Sequence, residues 1–209
     1  MSQATDDRRL QQLLERTEIF DLVRVERFHR DQRDWDGLVG CYVKNAPVRT
    51  TWFEGTIEDF VDASRRKMTG PGASAAKHWI FPTALQINGD RALVESPAAI
   101  FDRLTFDGVE FDSFQYCRFV SRLVRGAAGW RLASFEGIYQ RDHLRSVNPA
   151  EPLPVDWDVI KTLRPSYKFL AYTQLRRGYQ VDPDLLGDDC PDLLAAFYAR
   201  EQRWLESGR

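Results

Sequence analysis

The 209-residue chain contains only three histidines, the side chain whose ordinary pKa suits acid–base catalysis near neutral pH. His78 opens an extended segment, KHWIF, in which alternation places it on one face with apolar neighbours. His29 lies on a charged helix flank, and His143 lies in a segment rich in arginine and aspartate. His78 is therefore the main candidate for a general base. A lone histidine on an apolar face is more often a core or edge residue, so this pattern leaves both roles open.

Charged residues interrupt the apolar face of a helix predicted around residues 17–32. At helical spacing, Glu26 and Arg30 continue one apolar row, and Arg27 and Asp31 continue the neighbouring row. Because unpaired buried charge is unfavourable, these side chains either pair with one another, for example Glu26 with Arg30, or line a cavity. A third interpretation is a helix that breaks near Gln32 and leaves Asp31 at a solvated corner.

The elements that must position these residues begin with helices. Residues 7–42 are predicted helical in two or three pieces, with Thr17 and Asp34 as N-terminal caps. Thr56 followed by Asp59 resembles a capping box and predicts the start of a short helix.

Four long extended segments follow, separated by the turn sequences NGD, DG and GAAG. They span about 77–87, 91–106, 109–125 and 130–141. Strands of this length form a strongly twisted sheet, which needs an element to cover its concave face. The pattern predicts an α+β fold in which a curved, mostly antiparallel sheet wraps around the N-terminal helices.

The composition changes after residue 148, where prolines end the strand pattern. The remainder reads as amphipathic helices, one ended by Gly178 and one opened by Pro191. We therefore predict a cone domain at 1–148 and a helical C-terminal extension at 149–209, which docks on that domain or on a second subunit.

The overall composition excludes several classes of protein. The formal charge of -2 gives no basic excess for nucleic acid, and no apolar run is long enough to span a membrane. The three cysteines are far apart and fit neither a disulfide framework nor a metal knuckle, so we predict no metal. The N-terminus shows no export signal, which makes a cytoplasmic location the expectation.

Three stretches carry a family resemblance: ERFHRDQRDWDGLVGCY, KHWIF and GWRLASFEGIYQRDHL. Together with the order of elements, they resemble the SnoaL-like branch of the nuclear transport factor 2-like superfamily over about residues 8–148. That branch includes polyketide cyclases, scytalone dehydratase, bile acid 7-alpha-dehydratase and hexachlorocyclohexane dehydrochlorinase. The resemblance implies the cone fold, with N-terminal helices closing one mouth of the sheet.

The resemblance also implies a catalytic pair. In the family's lyases an aspartate before the second helix pairs with a histidine at the start of a core strand, and these positions match Asp31 and His78. An arginine beyond the last strand, after an aromatic residue, is similar to Arg141 after Tyr139, which we predict to bind substrate. A tyrosine that assists catalysis in some relatives is replaced by Glu26, which we also assign to substrate binding. A second core histidine of the scytalone dehydratases has no counterpart.

The interior of the cone is the predicted ligand pocket. Which face of the third long strand points inward is open, because Phe111 and Cys117 compete with Phe114 and Tyr116. The expected aromatic and apolar lining implies a small apolar ligand, cyclic or polyketide-like. The predicted lining residues are Tyr42, Trp52, Phe60, Met68, Phe114 or Tyr116, and Tyr139.

Two functions are consistent with the sequence. The first is a lyase or isomerase without a cofactor, in which Asp31 orients His78 as general base and Arg141 stabilises negative charge. The second is a non-catalytic binding or assembly module, such as a homodimeric binding protein or a partner subunit like the dioxygenase beta-subunit. Either function is expected in a homo-oligomer, a dimer or a trimer.

Overall fold

The computed structural model describes residues 3–69 and 76–208, in which N-terminal helices pack against the concave face of a curved sheet. This is the predicted α+β cone. The helices are α1 (Gln3–Gln32), α2 (Trp35–Gly40), α3 (Ile57–Thr69), α4 (Trp157–Ile160), α5 (Lys168–Arg176) and α6 (Pro191–Glu206). The strands are β1 (Pro47–Thr50), β2 (Phe53–Thr56), β3 (Lys77–Ile80), β4 (Ala84–Asn88), β5 (Arg91–Phe106), β6 (Val109–Gly126) and β7 (Gly129–Ser146).

Two of the three predicted helix caps are present in the structure. Asp34 caps α2 by accepting a hydrogen bond from the Gly37 amide at 3.1 Å, and Thr56 caps α3 by accepting one from the Asp59 amide at 3.2 Å. Thr17 does not begin a helix, because α1 runs through it without a break. Its hydroxyl instead donates to the Leu13 carbonyl one turn earlier.

The strands of the described residues pair in the order β2-β1-β7-β6-β5-β3, and β4 also pairs with β5. The first predicted strand is divided into β3 and β4 around Pro82, which has no amide hydrogen to donate to a neighbouring strand. The pair β1 and β7 is parallel, whereas the other pairs are antiparallel. The sheet is therefore mixed but mostly antiparallel.

A β-bulge in β7 changes which side chains face the interior. Tyr116 pairs with Arg141, but the next residue, Cys117, pairs with Tyr139, so Gln140 is an extra residue in the strand. An extra residue reverses the alternation of faces beyond it. Tyr139 consequently points to the concave side, and Arg141 points to the outer side.

The C-terminal segment packs on both sides of the sheet. Leu170 and Ala171 of α5 join the main core, and Gly178 ends that helix with a positive φ of 81°. On the outer face, α6 packs Phe197 against Val120, and its buried Glu201 accepts two hydrogen bonds from Arg122. The boundary near residue 148 remains a prediction. In the described parts of the chain, no helix combines the length and apolar character needed to cross a membrane.

Candidate active site

The concave face of the sheet, α1, α3 and α5 enclose a cavity of about 60 Å³. Ligand pockets usually begin at about 300 Å³, so the walls must move apart before a cyclic molecule can enter. Helix α5 supplies Leu170, Thr173 and Gln174 to one wall, although it belongs to the C-terminal segment. The segment beyond residue 148 is therefore part of the cavity and not only a surface attachment.

His78 lines this cavity and is bound by Asp31, which is not itself a lining residue. Asp31 Oδ1 lies 2.7 Å from His78 Nδ1, and Asp31 Oδ2 accepts a hydrogen bond from the His78 backbone amide, also at 2.7 Å. Both side chains are less than a tenth exposed. Helix α1 continues to residue 32, so Asp31 does not lie at a solvated corner. One carboxylate thus fixes both the backbone and the ring of the histidine.

Burial and charge set the protonation of this pair. Burial, together with the charges of Arg30 and Arg27, lowers the pKa of His78 to about 4, and the hydrogen bond to Asp31 only partly opposes this effect. Burial raises the pKa of Asp31, but the interactions with His78 and the charge of Arg30 together outweigh it, and the net pKa lies below its usual value. The resting state is an anionic Asp31 and a neutral imidazole. Nδ1 then carries the proton, which leaves Nε2 as the basic nitrogen.

Arg30 anchors the aspartate from the same helix. Its guanidinium lies 3.5 Å from Asp31 Oδ1 and donates to the Ala76 carbonyl at 3.1 Å. Lys77 donates to the Asp31 carbonyl. Burial, with the charge of Arg27, lowers the pKa of Arg30 to about 10. A cation therefore remains beside the Asp31–His78 pair at neutral pH.

Glu26, Arg27 and Tyr42 form a buried polar cluster behind the cavity wall. Arg27 donates to both carboxylate oxygens of Glu26, and the Tyr42 hydroxyl donates to Glu26 Oε1 at 2.7 Å. Arg27 also lies 4.4 Å from the centre of the Phe135 ring. Glu26 thus pairs with Arg27 and not with Arg30 as the helical spacing suggested. Arg27 lines the cavity, whereas Glu26 and Tyr42 hold it from behind and do not reach the cavity.

Strand β6 turns its odd-numbered residues to the concave side. Ser113, Gln115 and Phe119 line the cavity, whereas Phe114 and Tyr116 lie on the outer face. The structure therefore selects the face of Phe111 and Cys117. On the outer face, Phe114 stacks on His143 with 5.4 Å between ring centres.

Tyr116 and Arg141, like Glu26 and Tyr42, were predicted to bind substrate but do not reach the cavity. Arg141 is exposed, and its guanidinium lies 4.8 Å from the centre of the Tyr116 ring on the outer face. The bulge at Gln140 is the physical reason, because without it Arg141 would share the face of Tyr139. Tyr139 does line the cavity, and its hydroxyl accepts a hydrogen bond from the Thr51 amide at 3.1 Å.

Other predicted lining residues lie where the sequence placed them. Trp52 lines the cavity, where its ring packs on Phe60 with 5.5 Å between centres. Met68 lines it as well.

Several charged or polar lining residues were not predicted: Lys67, Asp102, Gln115, Thr173, Gln174 and Arg177. The sequence does indicate Arg27 and Arg30 as candidate lining residues, because they interrupt the apolar rows of α1. Gln115 could be predicted as a lining residue once the inward face of β6 is known. No cluster of three or more histidine, cysteine, aspartate or glutamate side chains suited to a metal ion occurs among residues 3–69 and 76–208.

The model of the SnoaL-like domain matches residues 11–136, which contain every element from most of α1 to the middle of β7. The chain belongs to this family. Pea pathogenicity protein 2 of Fusarium vanettenii is 31% identical over 177 residues, covering 83% of this chain and 76% of that protein. A PEP2-like protein of the same fungus is 30% identical over 208 residues, covering 93% of this chain and 87% of that protein.

Solved structures share the fold of this family member. A type 2 hexachlorocyclohexane dehydrochlorinase superposes with a TM-score of 0.57 at 14% identity, covering 70% of this chain and 99% of that one. A putative scytalone dehydratase from Novosphingobium aromaticivorans superposes with a TM-score of 0.51 at 17% identity, covering 68% and 97%. These similarities confirm the predicted cone.

Proposed function

We propose that the protein is a lyase or isomerase that needs no cofactor and uses the Asp31–His78 pair as its general base. The observation that carries this proposal is the double contact of Asp31 with the ring and the backbone amide of His78. His78 lines the cavity, and its neutral imidazole is held in one tautomer by Asp31. An oriented neutral imidazole is the arrangement that proton abstraction requires.

In the proposed reaction, His78 Nε2 removes a proton from a carbon beside a carbonyl or opposite a leaving group. The imidazolium that forms is stabilised by the Asp31 carboxylate. Arg30 and Arg27 place positive charge near the electron pair that is left on the substrate. Departure of a leaving group completes a lyase reaction such as dehydration. Return of the proton to a different carbon completes an isomerisation.

The substrate we propose is a small, mainly apolar compound, cyclic or polyketide-like. Trp52, Phe60, Phe119 and Phe135 give the cavity an aromatic lining, and ring systems bind well between such side chains. The fold shared with a dehydrochlorinase and with a putative scytalone dehydratase is consistent with elimination chemistry. That likeness is one of fold, so the catalytic argument depends on Asp31 and His78.

Proton abstraction can be tested before the natural substrate is known. Small cyclic ketones, such as 2-tetralone and cyclohexanone, are incubated with the protein in D₂O, and loss of the α-proton signal is followed by NMR. We expect exchange above the buffer rate in the wild type. His78→Gln should slow the protein-dependent exchange by about 100-fold to 10,000-fold, and Asp31→Asn should slow it as well.

His143→Gln is the matched control, because His143 lies on the outer face of the sheet and stacks on Phe114. It should exchange at the wild-type rate. If His78→Gln and Asp31→Asn exchange as fast as the wild type, the general-base proposal is wrong. Circular dichroism of each variant separates loss of the base from loss of the fold.

The alternative function is a non-catalytic binding or assembly module. The small volume of the cavity favours it, because a catalytic pocket must admit its substrate. Under this alternative, no ketone shows α-proton exchange that depends on His78, whether or not the ketone binds. We also keep a cytoplasmic location and a homo-oligomeric state as predictions, the latter to be measured by light scattering.

A further inference from the structure

Three of the four cations that line the cavity have a carboxylate partner. Arg27 pairs with Glu26, Arg30 lies 3.5 Å from Asp31, and Arg177 lies 3.9 Å from Asp102. The fourth cation is Lys67. Residues 70–75 contain no ionisable side chain, so they add no charge to this balance.

Lys67 is held by aromatic rings and an amide. Its Nζ atom lies 3.9 Å from the centre of the Trp52 ring and 4.7 Å from that of the Tyr179 ring. Gln174 Oε1 lies 3.5 Å away, at the outer limit of a hydrogen bond. Within the described residues Lys67 forms no salt bridge with a carboxylate. Aromatic faces orient an ammonium group without neutralising it.

The electrostatic surroundings of Lys67 leave it short of negative charge. Burial, together with the charges of Arg177 and Arg30, lowers the pKa of Lys67 well below its usual value, and only Asp102 acts in the opposite direction. An anion beside Nζ would supply the missing countercharge and stabilise the charged form. The amide of Gln174 on α5 is too weakly bonded to hold the ammonium against such a competitor.

We propose that the ligand of this cavity carries an anionic oxygen group, such as a carboxylate or an acidic enol, which Lys67 binds beside Gln174. The inference rests on the proposed function, because it places this group on the same molecule whose proton His78 removes. It adds an anionic group to the small, mainly apolar ligand of the proposed function. The apolar body would lie among the aromatic side chains, and the anionic group would lie where α3 and α5 meet.

The experiment compares probes of equal shape and different charge. Isothermal titration calorimetry at pH 7.5 measures binding of benzoate and cyclohexanecarboxylate, and of their neutral analogues benzamide and cyclohexanecarboxamide. We expect the carboxylates to bind at least about tenfold more tightly than the amides. Equal affinities, or no carboxylate binding up to about 10 mM, would overturn the inference.

Variants then assign the effect to one lysine. Lys67→Met keeps the length of the side chain and removes its charge, so it should weaken carboxylate binding at least about tenfold and leave amide binding unchanged. Lys161→Met is the matched control, because Lys161 is largely exposed and pairs with Asp158 on the surface. Unchanged carboxylate affinity in Lys67→Met would contradict the inference. The wild-type comparison stands even if that variant unfolds.

The two proposals fail in different ways. His78→Gln should keep the affinity for benzoate and lose the α-proton exchange. If the exchange does not depend on His78 but benzoate binds through Lys67, the general base is wrong and the anion site stands. If the exchange depends on His78 but charge has no effect on binding, the anion site is wrong and the general base stands.

Discussion

Asp31 uses both oxygens of its carboxylate on one residue, since Oδ1 contacts the His78 ring and Oδ2 accepts the His78 backbone amide, each at 2.7 Å. This ties the last turn of α1 to the first residues of β3. The contact fixes the ring without protonating it, because burial and the neighbouring arginines keep the imidazole neutral. The pair is thus both a structural connection and the proposed catalytic base.

The protonation of His78 gives the first prediction. Its pKa is about 4 in the folded protein, against about 6.5 in the unfolded chain, so the unfolded chain binds the proton first as the pH falls. The stability that this group contributes is therefore full above pH 6.5 and is lost as the pH falls to 4. NMR of ¹⁵N-labelled histidine should show one imidazole still neutral at pH 5.5, assigned by its absence in His78→Gln. A His78 ring that protonates between pH 6 and 7 would contradict this prediction.

Asp142 gives a second prediction, in which the pH dependence of stability has the opposite sign. Its Oδ2 accepts the Leu170 amide at 2.7 Å, its Oδ1 is buried without a hydrogen-bond partner among the described residues, and burial raises its pKa to about 6. The folded protein therefore binds this proton before the unfolded chain does. Stability from this group is fully present below about pH 4 and is lost as the pH rises through 6.

The contributions of His78 and Asp142 to the pH dependence of stability oppose each other between pH 4 and 6. Replacing one residue should therefore expose the pH dependence that the other contributes. Urea denaturation across this range should show His78→Gln gaining stability toward acid relative to the wild type. Asp142→Asn should lose stability toward acid more steeply than the wild type. Each slope is about 1 kcal/mol per pH unit at most. Parallel curves for the wild type and both variants would show that neither shift exists.

The sequence predicted the fold more fully than the site because periodicity reports elements and not their contacts. The alternation of apolar residues identified the long strands, and Asp34 and Thr56 marked helix starts through capping chemistry. The partnership of Asp31 with His78 spans 47 residues, and it came from family resemblance and not from any local pattern.

Two features of the site lay beyond sequence reasoning. The bulge at Gln140 has no clear signal in the sequence, yet it decides that Tyr139 faces the cavity and Arg141 does not. The environment of Lys67 combines Trp52 from the turn after β1 with Gln174 from α5, residues that only the tertiary fold brings together.

The outward position of Arg141 gives a third prediction. Its exposed side chain contacts the Tyr116 ring on the far side of the sheet from the cavity. Arg141→Ala should leave the α-proton exchange rate within about twofold of the wild type, and should change the free energy of unfolding by no more than about 0.5 kcal/mol. A 100-fold loss of exchange would restore Arg141 to the active site and would contradict the assigned faces of β7.

The cluster behind the cavity wall gives a fourth prediction, an order of stabilities. Glu26 is 1% exposed and is the carboxylate that neutralises buried Arg27, while Tyr42 only adds a hydrogen bond to it. Glu26→Gln leaves an uncompensated buried guanidinium and should lower the free energy of unfolding by about 3 kcal/mol. Tyr42→Phe removes one hydrogen bond and should lower it by about 1 kcal/mol. Urea denaturation at pH 7.5 measures both values. If Tyr42→Phe is the more damaging change, the cluster is held together by the tyrosine and not by the ion pair.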